Sequence, residues 1–271
     1  MKKRFLFGSV AVLACAIPAM ANTVEFDQNV NPDVIFGSGN ANGAFTTFRS
    51  TTNNIELGLR GKLRFNDSNL PENTFNSDGA GNYTFQAGNP PTGFGFDANS
   101  PTTPVWNFEW SINTDVDGMG GTVLSDLTYQ IRMDGDPTAA TNFVAFDPIT
   151  VPAADHAIGD NTTGNGGGTS ATNNVTDPVN VAFYQSLIDN NNVAQNSWNY
   201  EFFNDGTFGP ALTTFDPTVA GTYTIELEAF DTGGNSLGVS SINIQVVPTP
   251  AAALGGFIGL SGLALRRRSM A

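Results

Sequence analysis

The stretch N-T-D-V-D-G-M-G-G from residue 113 sets oxygen-bearing side chains at alternate positions, Asn113, Asp115 and Asp117, just ahead of Gly118. Alternating oxygens with a glycine for the tight turn open a calcium loop, because a hard cation needs several oxygen ligands that the chain must fold back to present. The EF-hand pattern then breaks, since Leu124 stands where a bidentate glutamate would close the loop. A looser Ca2+ site remains, completed by Asp126, Asp134 or Asp136 from neighbouring loops, against the plainer expectation of a solvated turn.

Other chemistries are thinly supplied. Paired carboxylates hydrolyse glycosidic bonds, and the acids within strand-like stretches are Glu109, Glu201, Glu226 and Glu228. Each falls on the phase opposite the apolar residues, where solvent is the simple expectation. Nucleophilic catalysis would rest on the single histidine, His156, next to Asp155, and no G-x-S-x-G elbow accompanies it. His156 reads as a loop residue bonded to a neighbouring carboxylate. No C-x-x-C, no H-E-x-x-H and no phosphate-cradling glycine pattern follows a strand. The catalytic set is therefore expected to be empty and the protein not an enzyme, with a glycoside hydrolase as a distant third reading.

Binding chemistry is better represented. Arg60, Lys62 and Arg64 project from one strand face, to meet either uronic acids and sulfates of a polysaccharide or acids on adjacent strands, where opposite charges stabilise a sheet. Trp198 and Tyr200, set among amides, suit a sugar-stacking platform; burial in a core is the alternative. The segment between the two ends carries five cations against 25 acids, a charge of 5 − 25 = −20, which opposes nucleic-acid binding.

The elements that must position these residues follow period two. I-E-L-G-L-R-G-K-L-R-F puts Ile55, Leu57, Leu59, Leu63 and Phe65 on one face, with Glu56, Arg60, Lys62 and Arg64 on the other, as in a half-buried strand. The same alternation turns Trp106, Phe108, Trp110 and Ile112 inward. It does likewise for Leu127, Tyr129, Ile131 and Met133; for Tyr223, Ile225, Leu227 and Ala229; and for Ile242, Ile244 and Val246. Shorter strands are expected near residues 45–49, 83–86, 143–146 and 198–203. Asp177 can cap a helix begun by Pro178, with Val181, Phe183, Tyr184, Leu187 and Ile188 as its apolar side. The Gly- and Asn-rich run from residue 159 to 178 reads as a mobile loop. Together these predict an all-β antiparallel sandwich, jelly-roll or immunoglobulin-like, with one short helix. The closing hairpin resembles the last two strands of immunoglobulin-like and cadherin-like sandwiches, a resemblance that implies a corner braced by the Tyr223 hydroxyl.

The two ends are addresses. Lys2, Lys3 and Arg4 precede an apolar run and then Ala19-Met20-Ala21, the layout of a secretory signal cut after Ala21. A lipobox around Cys15 is a second reading, opposed by the bulky Leu13. With cleavage after Ala21 the only cysteine is lost and no disulfide can form. At the other end Pro248-Thr249-Pro250 is followed by fifteen small apolar residues and by Arg266, Arg267 and Arg268. At about 1.5 Å per residue that run covers roughly 22 Å, a marginal membrane span. The arginines would hold its far side in the cytoplasm and leave the body outside. Residues 1–21 thus read as signal, 22–247 as a secreted domain and 248–271 as a tail with a transmembrane helix.

Val-Pro-Thr-Pro, a short Gly- and Leu-rich helix and a terminal arginine cluster resemble the PEP-CTERM sorting domain of exosortase substrates, with Thr249 in place of the usual glutamate. The resemblance implies retention at the inner membrane, cutting near the motif by a membrane-embedded cysteine transpeptidase, and release or attachment at the surface of a Gram-negative bacterium that makes exopolysaccharide. The expected function is that of a non-catalytic, exported cell-surface or matrix protein. The partners expected are exosortase, the inner membrane through the tail, and exopolysaccharide. A calcium-assisted carbohydrate-binding module is the alternative.

Overall fold

The computed structural model describes residues 22–66, 68, 72–90, 101–150, 155–173 and 176–249. The signal positions Ala19 and Ala21 and the tail positions Pro250, Arg266, Arg267 and Arg268 lie outside them. Among the described residues no helix is long and apolar enough to cross a membrane.

Two sheets form the body. The larger has seven strands in the order β1 (Asn22–Gln28), β2 (Phe45–Ser50), β3 (Ile55–Leu63), β5 (Trp106–Asn113), β10 (Val193–Trp198), β8 (Asp155–Gly159) and β9 (Thr169–Thr172). The smaller has five, in the order β4 (Asn82–Gln86), β12 (Ser236–Val247), β11 (Gly221–Phe230), β6 (Thr128–Asp134) and β7 (Phe143–Phe146). Every pairing is antiparallel except that of β4 with β12. The expected all-β sandwich is present, with a mixed rather than purely antiparallel second sheet.

Alternation explains the core. Register sets Leu57 opposite Ile112, Leu59 opposite Trp110 and Leu63 opposite Trp106. Those side chains meet Tyr223, Ile225, Leu227, Ile242 and Ile244 of the other sheet in one continuous apolar cluster. Gly61 occupies the inward phase where no side chain fits: a Cβ there would lie 2.7 Å from both Ile244 Cδ1 and Tyr83 Cβ. The helix α1 (Pro178–Ile188) begins as predicted, Asp177 accepting from the amides of Val179 and Asn180. Tyr184 and Ile188 are its buried residues, while Phe183 stays about half exposed.

The outer face of the large sheet departs from expectation. β3 and β5 are not half-buried; both faces are covered, and Glu56, Arg60 and Glu109 are each 1 % exposed or less. The cover is the irregular segment 29–44, which packs Val30 and Val34 on Phe45, and Ile35 on Ala157 and Val193. The glycine-rich run also differs, since much of it forms the β8–β9 hairpin. Its Gly166 and Gly168 amides donate to the Val34 and Ile35 carbonyls, and a Cβ on Gly168 would sit 2.9 Å from Ile35 O. Glycine permits that backbone approach. The strand expected at 198–203 is displaced: β10 ends at Trp198, and residues 200–203 turn as a 3-10 helix capped by Asn199.

Candidate functional site

The chemistry-bearing residues gather beneath segment 29–44, on the phase that alternation assigned to solvent. The β3–β5 register places Arg60 opposite Glu109 and Lys62 opposite Asn107. Arg60 Nε donates to Glu109 Oε2 at 2.6 Å, and Nη1 donates to the carbonyls of Ala41 and Gly43 at 2.9 and 2.6 Å. Nη2 lies 2.5 Å from the same carboxylate oxygen and adds to the ion pair. The guanidinium is held between the rings of Phe45 and Phe75, 4.1 and 4.2 Å from their centroids, an arrangement that favours the delocalised cation.

Lys62 shares the carboxylate. Its Nζ is 3.5 Å from Glu109 Oε1 and donates to Asn40 Oδ1 on the covering segment. The other half of the Asn40 amide is fixed by donation from Nδ2 to Phe36 O at 2.9 Å. Burial lowers the Lys62 ammonium pKa; Glu109 opposes that, and the charges of Arg60 and Arg64 add to it. Burial also lowers that of Arg60, again opposed by Glu109. A second buried acid lies farther along β3: Glu56 accepts from Arg49 Nε at 2.5 Å and from the Asn31 amide at 2.8 Å, and desolvation nevertheless raises its pKa. The cations therefore face acids of adjacent strands, and a polysaccharide cannot reach Arg60 or Lys62. Arg64 is exposed beyond the strand end, its guanidinium carbon 5.4 Å from the Phe65 ring centroid.

Asn113, Asp115 and Asp117 do come together in one turn, where each accepts from the fold's own N–H groups. Asp115 Oδ1 accepts from Gly120 N and Asn54 Nδ2, and Oδ2 accepts from Gly121 N. Asp117 Oδ1 accepts from Met119 N and Asn54 Nδ2, bonds that hold its pKa down. Asn113 Oδ1 accepts from Asp115 N and Asn192 Nδ2. Oxygens aimed at N–H donors stitch a turn. Asp126 is elsewhere, accepting from Val123 N in its own 3-10 turn. Among the described residues no three His, Cys, Asp or Glu side chains gather as a metal cluster.

The carbohydrate platform is corrected. Trp198 packs against Trp110 and Phe203 at 5.1 and 5.3 Å, and Tyr200 meets Trp106 at 4.9 Å; both are interior, because β10 is flanked by β5 and β8 and the chain then turns inward. His156 is corrected too. It lies in β8, 1 % exposed, edge-on to Trp110 and Tyr184, with Nε2 2.5 Å from Pro148 O. Glu201, read as a solvent-facing strand residue, is buried in the 3-10 turn and accepts from Thr103 Oγ1. Glu226 and Glu228 stay partly exposed and pair with Arg132 at 2.6 and 3.1 Å.

An open recess of about 590 Å³ is bounded by Leu63, Asn66, Glu72, Thr84, Gln86 and Asn89. Glu72 is the acid among its described lining residues, and it is engaged by Asn66 Nδ2 and Thr74 Oγ1 at 2.9 and 2.6 Å. Glycoside hydrolysis needs a pair of carboxylates, and Glu72 is unpaired with another acid among the described lining residues. Of the sorting motif, Pro248 and Thr249 are described and follow β12 directly, Pro248 exposed. Sequence reasoning did not reach Asn40, whose segment has no periodicity; the nearest signal was that Lys62 is the sole lysine between residues 22 and 247. No protein family, no curated protein and no solved structure matches this chain.

Proposed function

We propose that the chain is a non-catalytic, exported cell-surface or matrix protein. In this reading its body, a jelly-roll or immunoglobulin-like sandwich, is delivered by the N-terminal signal, retained by the C-terminal tail and processed there by an exosortase. The observation that carries the non-catalytic part is the state of the strongest functional groups: Arg60, Glu109, Glu56, Glu201 and His156 are all enclosed and bonded to the fold's own groups. The fold assignment is supported by Tyr223, whose hydroxyl lies 3.5 Å from Val219 O at the start of β11. The sorting part rests on the resemblance of residues 247–268 and on the exposed Pro248, which leaves the sandwich at the end of β12.

The test is the intact mass of the protein from its native host, in membrane and medium fractions, with and without Arg266, Arg267 and Arg268. A surface or medium form that lacks residues 251–271 is expected. A full-length tail confined to the inner membrane would remove the exosortase and leave a simple membrane-anchored domain.

A further inference from the structure

Lys62, Asn40 and Glu109 place an amine, a carboxamide and a carboxylate in mutual contact inside a β-sandwich. We propose that Lys62 Nζ and Asn40 Cγ become joined by an intramolecular isopeptide bond, with Glu109 as the proton shuttle. The amine is already in contact with the amide: Nζ donates to Asn40 Oδ1, while Nδ2 is held by the Phe36 carbonyl, so the amide cannot swing away. Glu109 Oε1 stands 3.5 Å from the same Nζ, and Arg60 anchors the other carboxylate oxygen. Water is largely excluded, with Lys62 7 % and Glu109 1 % exposed. Desolvation also lowers the ammonium pKa, which favours the neutral amine that a nucleophile must be.

Choice of residue points the same way. Every other cation between residues 22 and 247 is an arginine, and the single lysine stands where a buried cation touches a carboxamide. Arginine is the better buried ion-pair partner, whereas lysine is the one that can lose its proton and attack. An exported body whose only cysteine lies in the signal has no disulfide to close the segment onto the sheet.

The step balances without an oxidant or a cofactor. Glu109 takes a proton from the Lys62 ammonium, and the freed lone pair forms the Nζ–Cγ bond. The Cγ–Nδ2 bond of Asn40 then breaks with its electron pair on nitrogen. That nitrogen collects the proton held by Glu109 and the one further proton that Nζ sheds on becoming an amide, so ammonium plus carboxamide yields a secondary amide plus ammonium.

Mass spectrometry of the purified exported protein tests this without any variant. The intact mass is expected to fall below the summed residue masses by one ammonia, about 17 Da. Trypsin should then release a branched peptide joining the segment that contains Asn40 to the one that contains Lys62, uncut after Lys62. Asn40→Ala, at a half-buried loop position, should restore the full mass. An intact mass equal to the residue sum would overturn the bond, and so would an ammonia loss mapped to a succinimide at Asn42-Gly43.

Discussion

Arg60 Nε lies 2.6 Å from Glu109 Oε2 across the β3–β5 register, and both side chains are enclosed, between the sheet on one side and the loop carbonyls of Ala41 and Gly43 on the other. Breaking such a pair leaves a charge with no water to solvate it. Glu109→Ala should therefore cost about 3–5 kcal/mol. Replacing both partners by apolar residues, as in R60M/E109L, should cost clearly less than the sum of the single changes. Urea denaturation of the four proteins reads the coupling, and additive losses would show that the pair is not a unit.

Two glycines of the sheet region have opposite expectations. Gly61→Ala drives a Cβ to 2.7 Å from Ile244 and Tyr83, where two packed sheets have no slack; overpacking of this kind costs about 1–3 kcal/mol. Gly164→Ala, with nothing within 4 Å and no positive φ, should be neutral or slightly stabilising. Thermal melts of the two variants distinguish sheet-to-sheet contact from mere glycine composition.

Buried tyrosines give a second contrast. Tyr200 keeps its hydroxyl in the core without a hydrogen-bond partner, and burial raises its pKa well above the usual phenol value. Tyr200→Phe should be neutral or stabilising. The Tyr184 hydroxyl donates to Ile149 O at 2.6 Å, and Tyr184→Phe should cost on the order of 1 kcal/mol. Equal effects at both sites would mean that the orphaned hydroxyl has a partner in solution.

Asp147 offers a pH test. It accepts from the amides of Ile149, Thr150 and Tyr129, yet burial raises its pKa above the ordinary aspartate value of 3.8. A carboxyl raised on folding holds its proton more tightly in the native state. Its contribution to stability is thus complete below the unfolded pKa and is lost as pH rises through the folded one. Asp147→Asn should flatten that part of the stability profile above pH 3.8, while costing about 1 kcal/mol for the amide that then faces Tyr129 N. An unchanged slope would assign the pH dependence to other acids such as Glu56.

The turn at Asp115 is stitched by its own amides, so its stability should not depend on a divalent ion. EDTA and added Ca2+ should leave the melting temperature unmoved. Asp115→Asn should lower stability by about 1–3 kcal/mol in either condition, because one carboxylate oxygen that faces an N–H becomes an NH2. A Ca2+-dependent rise in melting temperature, abolished by that substitution, would revive the cation site.

Much of the fold was legible because one-sided burial is written as alternation. Leu57, Trp110, Ile225 and Ile244 lie inward as period two required, and Asp177 with Pro178 marked the helix start. Alternation separates two faces without saying that the second is wet, and there the reading of Glu109 as solvent-facing failed, while Arg60 does face an acid of the adjacent strand. Their cover is an aperiodic segment tied to the sheet by contacts remote in sequence, such as Ile35 N to Gln195 Oε1, 160 residues apart. Trp198 and Tyr200 were ambiguous for a related reason: an aromatic among amides looks alike at a surface and beside a capping asparagine. The candidate cross-link was least legible of all, since Asn40 and Lys62 meet only when that segment folds over β3.

The position of β12 has a mechanical consequence. This strand is not at an edge; β11 flanks it from Ser236 to Val246, and β4 runs parallel to it from Asn243 to Val247. The Val247 carbonyl is held further by the Ala87 amide at 2.7 Å. A pull on the backbone beyond Pro248 would therefore load two hydrogen-bonded ladders at once.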